Sequence, residues 1–359
     1  MGPNTVNVSF LQAPWPWLRV RLFSTPLNSV ISLLLVGLLL ILLPPLLDWA
    51  VLKANFTANT AQACKDSAGA CWAFIAHKHR LILFGVYPYD EQWRPLLATI
   101  VLVVAILLSC WQRCWRAWLA LIWFGAITTF GVLMWGGVLG LSYVDNSRWG
   151  GLPLTLMLAT VGLAFAFPLG VLLALGRRSH LPAVRVLSVT YIELIRGVPL
   201  ISLLFMASVM LPLFLPAGTH IDKLLRAQIA IIVFAAAYIA ETVRGGLQAI
   251  PKGQYEGAQS IGLNYWQTMR KIVLPQALTT VIPPLVSIFI SLFKDTSLVV
   301  VIGIFDLTQS AKVAVADAQW RGFSTEAYLF VAAIYFVFCY GISRYSRRLE
   351  THLTRYDQR

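Results

Sequence analysis

The sequence predicts an all-α polytopic membrane protein with about eight transmembrane helices. Hydrophobic residues make up 58% of the 359 residues and charged residues 12%, whereas a soluble domain carries about 25% charged residues. So little polar surface cannot cover so apolar a core in water. The apolar residues also form runs of about 20, the length that a helix needs to cross a bilayer.

The eight apolar runs lie near residues 27–47, 95–111, 117–137, 152–176, 199–216, 227–243, 277–303 and 326–343. The fifth run is short and has a proline at each end. Pro168 and the adjacent Pro283 and Pro284 are expected to kink their helices, which a membrane protein tolerates where neighbouring helices satisfy the freed backbone groups.

The basic residues predict the orientation of these helices. If the N-terminus is cytoplasmic, the tails and loops on that side hold 17 Lys and Arg and the opposite side holds 10, five of them in the long loop 48–94. The positive-inside rule then places both termini in the cytoplasm. The net charge of +13 is spread over the ends of the apolar runs, which argues against a nucleic-acid-binding patch.

The N-terminal block, residues 1–148, carries three spans and the external loop 48–94, and shows no recognisable chemistry. Its first span has no cleavage pattern, so we expect a retained anchor and not a signal peptide. In the loop, Cys64 and Cys71 can form a disulfide in an oxidising compartment, and two free thiols are the alternative. No cysteine or histidine spacing indicates a metal site.

Residues 149–345 hold the other five spans, and residues 346–359 are expected to form a cytoplasmic tail. The longest cytoplasmic loop of this second block, residues 244–275, has the pattern of two short helices. Pro251 can open the first helix, and Gly262 can end it in a left-handed conformation.

The second short helix is expected to begin at Asn264, with Gln267 three residues later completing an imperfect capping box. Pro275 is expected to end it. The helix carries one apolar stripe. Its members are Tyr265, Trp266, Met269, Ile272 and Val273.

Three interpretations of this helical hairpin compete. It can be an amphipathic connector lying on the lipid headgroups. It can be a DNA-reading helix-turn-helix, although its tethers are too short to reach a major groove. It can also be a docking element for a cytoplasmic protein, because exposed Tyr, Trp and Met side chains suit a protein–protein contact.

The hairpin resembles the EAA loop of ABC importer permeases, in which E-A-A is followed by a glycine and then by I-x-L-P at fixed distances. The matching residues are Glu256, Gly257, Ala258, Gly262, Ile272, Leu274 and Pro275. Only Gly257 departs from the pattern, where alanine is usual.

The flanking sequence narrows the resemblance. AAAYIAETVRGGLQAIPKGQYEGA at 235–258 and KDTSL at 294–298 are similar to the polar amino acid permeases of the histidine/glutamine type. With its added N-terminal block, the chain most resembles the M-type permease of general L-amino acid ABC transporters. The resemblance implies a five-helix type I ABC importer permease core, with Glu256 and Gly262 setting the loop and Tyr265, Trp266 and Met269 forming its contact face.

The resemblance also implies partners. They are two copies of an ABC ATPase subunit, a second homologous permease of the Q type in a heterodimer, a periplasmic amino acid-binding protein, an L-amino acid and membrane lipid. The chain has no phosphate-binding GxxxxGK[ST] loop, so ATP and Mg are expected on the ATPase subunits and this subunit is expected to have no cofactor and no enzymatic activity of its own. The implied location is the Gram-negative inner membrane.

Ionisable residues within the spans are costly, at about 2.5–3.5 kcal/mol each, and need a partner or a purpose. Glu193 with Arg196, and Glu241 with Arg244, lie three residues apart near the predicted cytoplasmic interface, where structural ion pairs and a gating role are both open. The third group interrupts the seventh span and can contact a zwitterionic substrate or pair with neighbouring helices. It consists of Lys294, Asp295, Thr296 and Ser297.

The predicted function is that of a transmembrane permease subunit of an ATP-driven importer for L-amino acids, which works by alternating access. The alternative is a stand-alone secondary transporter or channel without an ATPase partner. Such a protein needs no docking hairpin and commonly has two related halves, which this sequence does not show.

Overall fold

The computed structural model describes residue 18 and residues 22–111, 117–216 and 218–357. Its α-helices in chain order are α1 (Pro26–Leu47), α2 (Ala61–Lys65), α3 (Trp72–Phe84), α4 (Trp93–Ser109), α5 (Ala117–Trp135), α6 (Gly151–Arg177), α7 (Pro182–Arg196), α8 (Leu200–Phe205), α9 (Leu211–Phe214), α10 (Lys223–Ala249), α11 (Lys252–Ser260), α12 (Tyr265–Thr268), α13 (Leu274–Thr280), α14 (Ile282–Asp295), α15 (Leu307–Ala316) and α16 (Ser324–Asp357). Wider π turns occupy Asp48–Leu52, Met206–Met210 and Met269–Val273, and tighter 3₁₀ turns occupy Tyr89–Glu91, Asn146–Arg148, Thr296–Ile302 and Ala318–Trp320. A two-residue strand, β1, covers Phe305–Asp306.

The predicted all-α membrane fold is confirmed. Within the described ranges, seven helices are long and apolar enough to cross a membrane, and a bent helix pair can supply an eighth span. The second arm of the bent pair corresponds to the predicted fifth run, and the first arm was not predicted as a span. Its two arms, Pro182–Arg196 and Leu200–Phe214, meet at 101°. Pro199 is the cap of the second arm, and a proline disfavours helical geometry in the residue before it, which explains the break at this point.

The chain divides into two compact units, Met1–Ala76 and His77–Arg359. The predicted boundary after residue 148 is therefore not a boundary of packing, because α4 and α5 belong to the second unit and α4 packs against α6. In the first unit, the apolar stretch of α1 buries none of its residues, as expected for a helix that faces lipid. A disulfide joins Cys64 and Cys71 in this unit.

The second unit is built around α6 and α10, which make its most extensive helix–helix contact. Glycines let the two helices approach closely. A methyl group at Gly170 would lie 2.7 Å from Ile239 Cγ2, and one at Gly162 would lie 3.0 Å from Ile231 Cγ2. The buried core around this contact includes Leu158, Ala166, Ala235, Val243 and Leu292.

The residues predicted to form a C-terminal tail are largely helical. The tail expected at residues 346–359 is, up to Asp357, the last part of α16, because that helix runs on unbroken from Ser324. Residues 358–359 lie outside the described residues.

Candidate functional site

The predicted helical hairpin is present, and its turn depends on Gly262. This residue has φ +78°, a left-handed conformation that glycine adopts at no steric cost. The Leu263 N–H donates to the Ala258 carbonyl at 3.1 Å, and the Gly262 N–H donates to the Gln259 carbonyl at 2.9 Å. These two bonds form a Schellman motif, which satisfies the last carbonyls of α11 and sets the angle at which the chain leaves it.

A complete capping box starts the second helix. The Gln267 N–H donates to Asn264 Oδ1 at 2.9 Å, and the Asn264 N–H donates to Gln267 Oε1 at 3.0 Å. The two short helices therefore meet through a turn whose backbone groups are satisfied on both sides, which makes the hairpin a rigid element.

The exposed surface of the hairpin differs from the predicted contact face. Trp266 is 67% exposed and Tyr265 48% exposed, but Met269 is only 7% exposed and packs into the core. Met269 is thus corrected from a contact residue to an anchor. Ile261, which was not predicted, is 72% exposed beside Gly262. The feature of the sequence that could have indicated this exposed residue is an apolar side chain directly before the glycine that ends the helix.

The remaining predicted loop residues divide between surface and core. Glu256 and Gly257 are exposed on α11, whereas Ala258 is 2% exposed. The sequence predicted that Pro275 ends the second helix, and this prediction is wrong. The helix passes through a π turn at Met269–Val273 and continues as α13, with Pro275 just after the π turn.

The adjacent arginines at the end of α6 connect the hairpin to an ion-pair network. Arg178 donates to the Leu247 carbonyl at 2.6 Å and to the Tyr255 hydroxyl at 3.3 Å on α11. Arg177 donates to the Glu193 and Glu241 carboxylates at 2.8 and 3.2 Å. Sequence spacing gives no sign of these contacts, because the partners lie far away in the chain.

Glu241 is the centre of that network. The predicted pair with Arg244 is present, at 3.0 Å from Nε to Oε2. The other predicted pair is not, because Glu193 binds Arg177 while Arg196 Nη1 lies 3.8 Å from Glu241. The bundle therefore gathers three arginines around one carboxylate, and each side chain in these Glu241 pairs is 22–35% exposed.

A cavity of about 320 Å³ lies between the end of α6 and the hairpin. Its lining includes Arg178, His180, Tyr255, Tyr265 and Met269. The hairpin thus does not pack flush against α6, and the space allows these side chains to rearrange if the hairpin shifts.

The residues predicted for the substrate path, Lys294, Asp295, Thr296 and Ser297, differ in exposure. They lie where α14 gives way to the 3₁₀ turn Thr296–Ile302. The Thr296 hydroxyl donates to the Phe293 carbonyl at 2.7 Å, and the Ser297 hydroxyl donates to the Lys294 carbonyl at 2.8 Å. Thr296 is 1% exposed, whereas Lys294 is exposed. Both hydroxyls therefore bond to their own turn of helix.

Among the described residues, no group of three or more His, Cys, Asp or Glu side chains is placed to hold a metal ion.

Comparison with known proteins identifies the family of the chain. The family described as "Binding-protein-dependent transport system inner membrane component" matches residues 166–355, a range that contains the hairpin and the arginine network. The chain belongs to this family. The resemblance to ABC importer permeases seen in the sequence is thereby confirmed.

Individual relatives agree with this assignment. The chain is 50% identical over 344 residues to the inner membrane amino-acid ABC transporter permease protein YhdY of Escherichia coli K12, which covers 93% of this chain and 91% of that protein. It is 38% identical to the glutamate/glutamine/aspartate/asparagine transport system permease protein BztC of Rhodobacter capsulatus, over 99% of this chain and 97% of that protein.

A solved structure matches only part of the permease. A chain from the crystal structure of an amino acid ABC transporter with histidines is 33% identical, with a TM-score of 0.50, and the match covers 56% of this permease and 92% of that chain. Much of this permease therefore has no counterpart in that smaller chain.

Proposed function

We propose that this permease is the membrane subunit of an ATP-driven importer that moves L-amino acids across the inner membrane by alternating access. Membership of a binding-protein-dependent transport family supports an importer over a stand-alone secondary transporter or channel. The names of two long relatives, which are amino acid permeases, support the substrate class.

The observation that carries the coupling role is the exposed surface of the rigid hairpin. Ile261, Tyr265 and Trp266 face outward, while Ala258 and Met269 hold the hairpin to the core. Aromatic side chains on a preorganised support are typical anchors of protein–protein contacts. We assign this surface to a cytoplasmic ATPase subunit, which supplies ATP and Mg²⁺.

The contacts of α6 suggest how movement of the hairpin reaches the transmembrane helices. The hairpin contacts Arg178, and the neighbouring Arg177 binds carboxylates on α7 and α10. Closure of two ATPase subunits on ATP would displace the hairpin, and the end of α6 would follow. Glu193, Arg196, Glu241 and Arg244 are then structural or gating ion pairs at the cytoplasmic mouth.

The remaining assignments follow from the same proposal. The working complex contains two ATPase copies, a second homologous permease in a heterodimer and a periplasmic amino acid-binding protein, and both termini of this chain are cytoplasmic. Residues 149–345 act as the permease core, and residues 1–148 as an extension. Asp295 and Lys294, with Thr296 and Ser297, stay assigned to the substrate path.

The test compares two tryptophans of equal exposure. Trp266 on the hairpin is 67% exposed and Trp118 on α5 is 68% exposed. In the complex reconstituted with binding protein and amino acid, Trp266→Ala is expected to reduce substrate-stimulated ATP hydrolysis and recovery of the ATPase with the permease at least about tenfold, the loss typical of a contact hot spot. Trp118→Ala should change neither.

Two outcomes would overturn the proposal. If both alanine variants hydrolyse ATP as the wild type does, the hairpin surface is not the ATPase contact. If the wild type purifies without an ATPase and moves amino acids in the absence of ATP, the chain is a secondary transporter.

A further inference from the structure

The end of the second unit opposite the hairpin holds a close backbone contact between the N-terminal extension and the permease core. A methyl group at Gly85 would lie 2.7 Å from Gly150 Cα. One at Gly151, where φ is +68°, would lie 2.0 Å from the Leu83 carbonyl oxygen. Only glycine fits at such a crossing, so the chain after α3 lies directly against the first residues of α6.

The adjacent glycines Gly150 and Gly151, the glycine pair, also contact a second segment of the chain. Gly150 and Gly151 form parallel β-bridges with Phe305 and Asp306 of β1. The start of α6 is therefore held between the end of α3 and the segment 305–320, which connects the last two spans.

A buried carboxylate orders the start of segment 305–320, and a buried hydrogen bond joins the segment to α6. Asp306 is fully buried, and its carboxylate accepts from the Thr308 and Gln309 N–H groups at 2.9 Å each. The Leu307 N–H donates to the Thr155 hydroxyl at 3.1 Å. The start of the segment is therefore packed directly on α6.

Two contacts at the far end of the segment return to α3. Lys78 Nζ lies 2.6 Å from Asp317 Oδ2, with side-chain exposures of 18% and 31%. The His77 and Trp320 rings lie 4.9 Å apart between centroids. Asp317 also caps the 3₁₀ turn Ala318–Trp320 by accepting from the Gln319 N–H at 2.8 Å. Together these contacts form a closed ring. The end of α3 contacts the glycine pair, the glycine pair contacts β1, and segment 305–320 returns from β1 to α3 at Asp317.

We propose that α3 of the N-terminal extension is a brace that holds segment 305–320 on α6, with Lys78 and His77 as positioning residues for transport. The ring stays closed while the hairpin end of the core opens and closes, so that α6 and segment 305–320 move together. This inference rests on the proposed alternating-access function. It gives part of the extension a role in the transport cycle beyond that of a membrane anchor.

The first test reverses the charge of the brace. Lys78→Asp places two carboxylates together and is expected to lower amino acid transport by the reconstituted complex about tenfold, in the range of coupling between contacting charges. The double variant Lys78→Asp with Asp317→Lys should restore transport. Lys312→Asp is the matched control, because this lysine lies exposed on α15 of the same segment, and its transport should equal that of the wild type.

The second test asks whether the brace opens. Lys78→Cys and Asp317→Cys, in a protein with Cys110, Cys114 and Cys339 replaced by serine, are bridged by a short bifunctional thiol reagent. Transport after bridging should equal that of the same cysteine-replaced protein with Lys78 and Asp317 intact, should be no lower than before bridging, and should exceed that of Lys78→Asp.

The outcomes that would overturn the brace differ from those that would overturn the proposed function. If the wild type transports but Lys78→Asp transports equally well, or the charge swap gives no rescue, the brace is wrong. If bridging stops transport, the ring opens in the cycle and the proposal of a closed brace is wrong. Failure of the wild type itself to transport with ATP and binding protein overturns the proposed function instead.

Discussion

The two ends of the second unit hold their charged groups in different ways. At the hairpin end, Glu241 is shared by Arg177, Arg196 and Arg244, and all of these side chains are partly exposed. At the opposite end, Arg94 is 1% exposed and Asp306 is fully buried, and each is bound mainly by backbone groups, while the brace pair of Lys78 and Asp317 is partly exposed.

The difference separates an adaptable end from a locked one. Partly exposed ion pairs contribute little individually and exchange partners at low cost, because water solvates each charge that is released. A buried charge that loses a partner has no such substitute, so its surroundings keep one arrangement. We expect movement at the hairpin end to proceed by exchange among arginines, and the opposite end to move as a fixed body.

The largest effect is expected at Arg94. Its guanidinium donates to the Leu133 carbonyl at 2.7 Å and to the Ser142 carbonyl at 3.0 Å, and it also pairs with Glu91. Arg94→Leu leaves these acceptors unpaired and should lower the free energy of unfolding by about 3–5 kcal/mol. Thermal unfolding in detergent measures the loss.

The control for Arg94 is the exposed Arg148, whose change to leucine should shift stability by no more than about 0.5 kcal/mol. Equal effects of the two substitutions would show that burial does not make Arg94 more important for stability than an exposed arginine.

The second effect is a pH dependence at Asp306. Burial raises the pKa of this carboxyl from 3.8 to about 6, so the folded chain binds the proton more tightly than the unfolded chain. The free energy of unfolding should therefore fall as the pH rises from about 4 to about 6, by on the order of 3 kcal/mol, and then level off. Asp306→Asn should remove this slope.

Asp222 is a matched control for Asp306. It caps α10 by accepting from two backbone N–H groups, as Asp306 caps α15, but it is exposed. The free energy of unfolding of Asp222→Asn, measured over the same pH range, should change with pH as it does in the wild type. A slope that survives in Asp306→Asn would assign the pH dependence to another group.

The smallest effect is expected within the arginine network. Arg244→Gln removes two hydrogen bonds to Glu241, whereas Arg196→Gln removes only a contact at 3.8 Å. Because these groups are partly exposed, we expect a loss of about 1 kcal/mol for Arg244→Gln and less for Arg196→Gln, measured by thermal unfolding. A loss above about 3 kcal/mol for either variant would show that this end is as rigid as the other.

Sequence patterns predicted the local elements of the site well. The Gly262 turn and the box of Asn264 and Gln267 depend on residues within six positions of one another, so their spacing is enough to specify the geometry. The burial of Met269 was not predictable in the same way. A helical stripe shows which residues share a face, but not which part of that face another helix covers.

The sequence by itself determined the membrane fold, the spans and the hairpin between two of them, because hydrophobic run length, proline, glycine and capping residues act over short stretches of chain. Tertiary structure alone decided that Glu193 pairs with Arg177, that Arg178 contacts the hairpin and that Lys78 meets Asp317. Those partners lie 16, 77 and 239 residues apart. Only the packing of helices that are distant in the chain brings these residues together, and the spacing of residues along the sequence does not show which distant segments will meet.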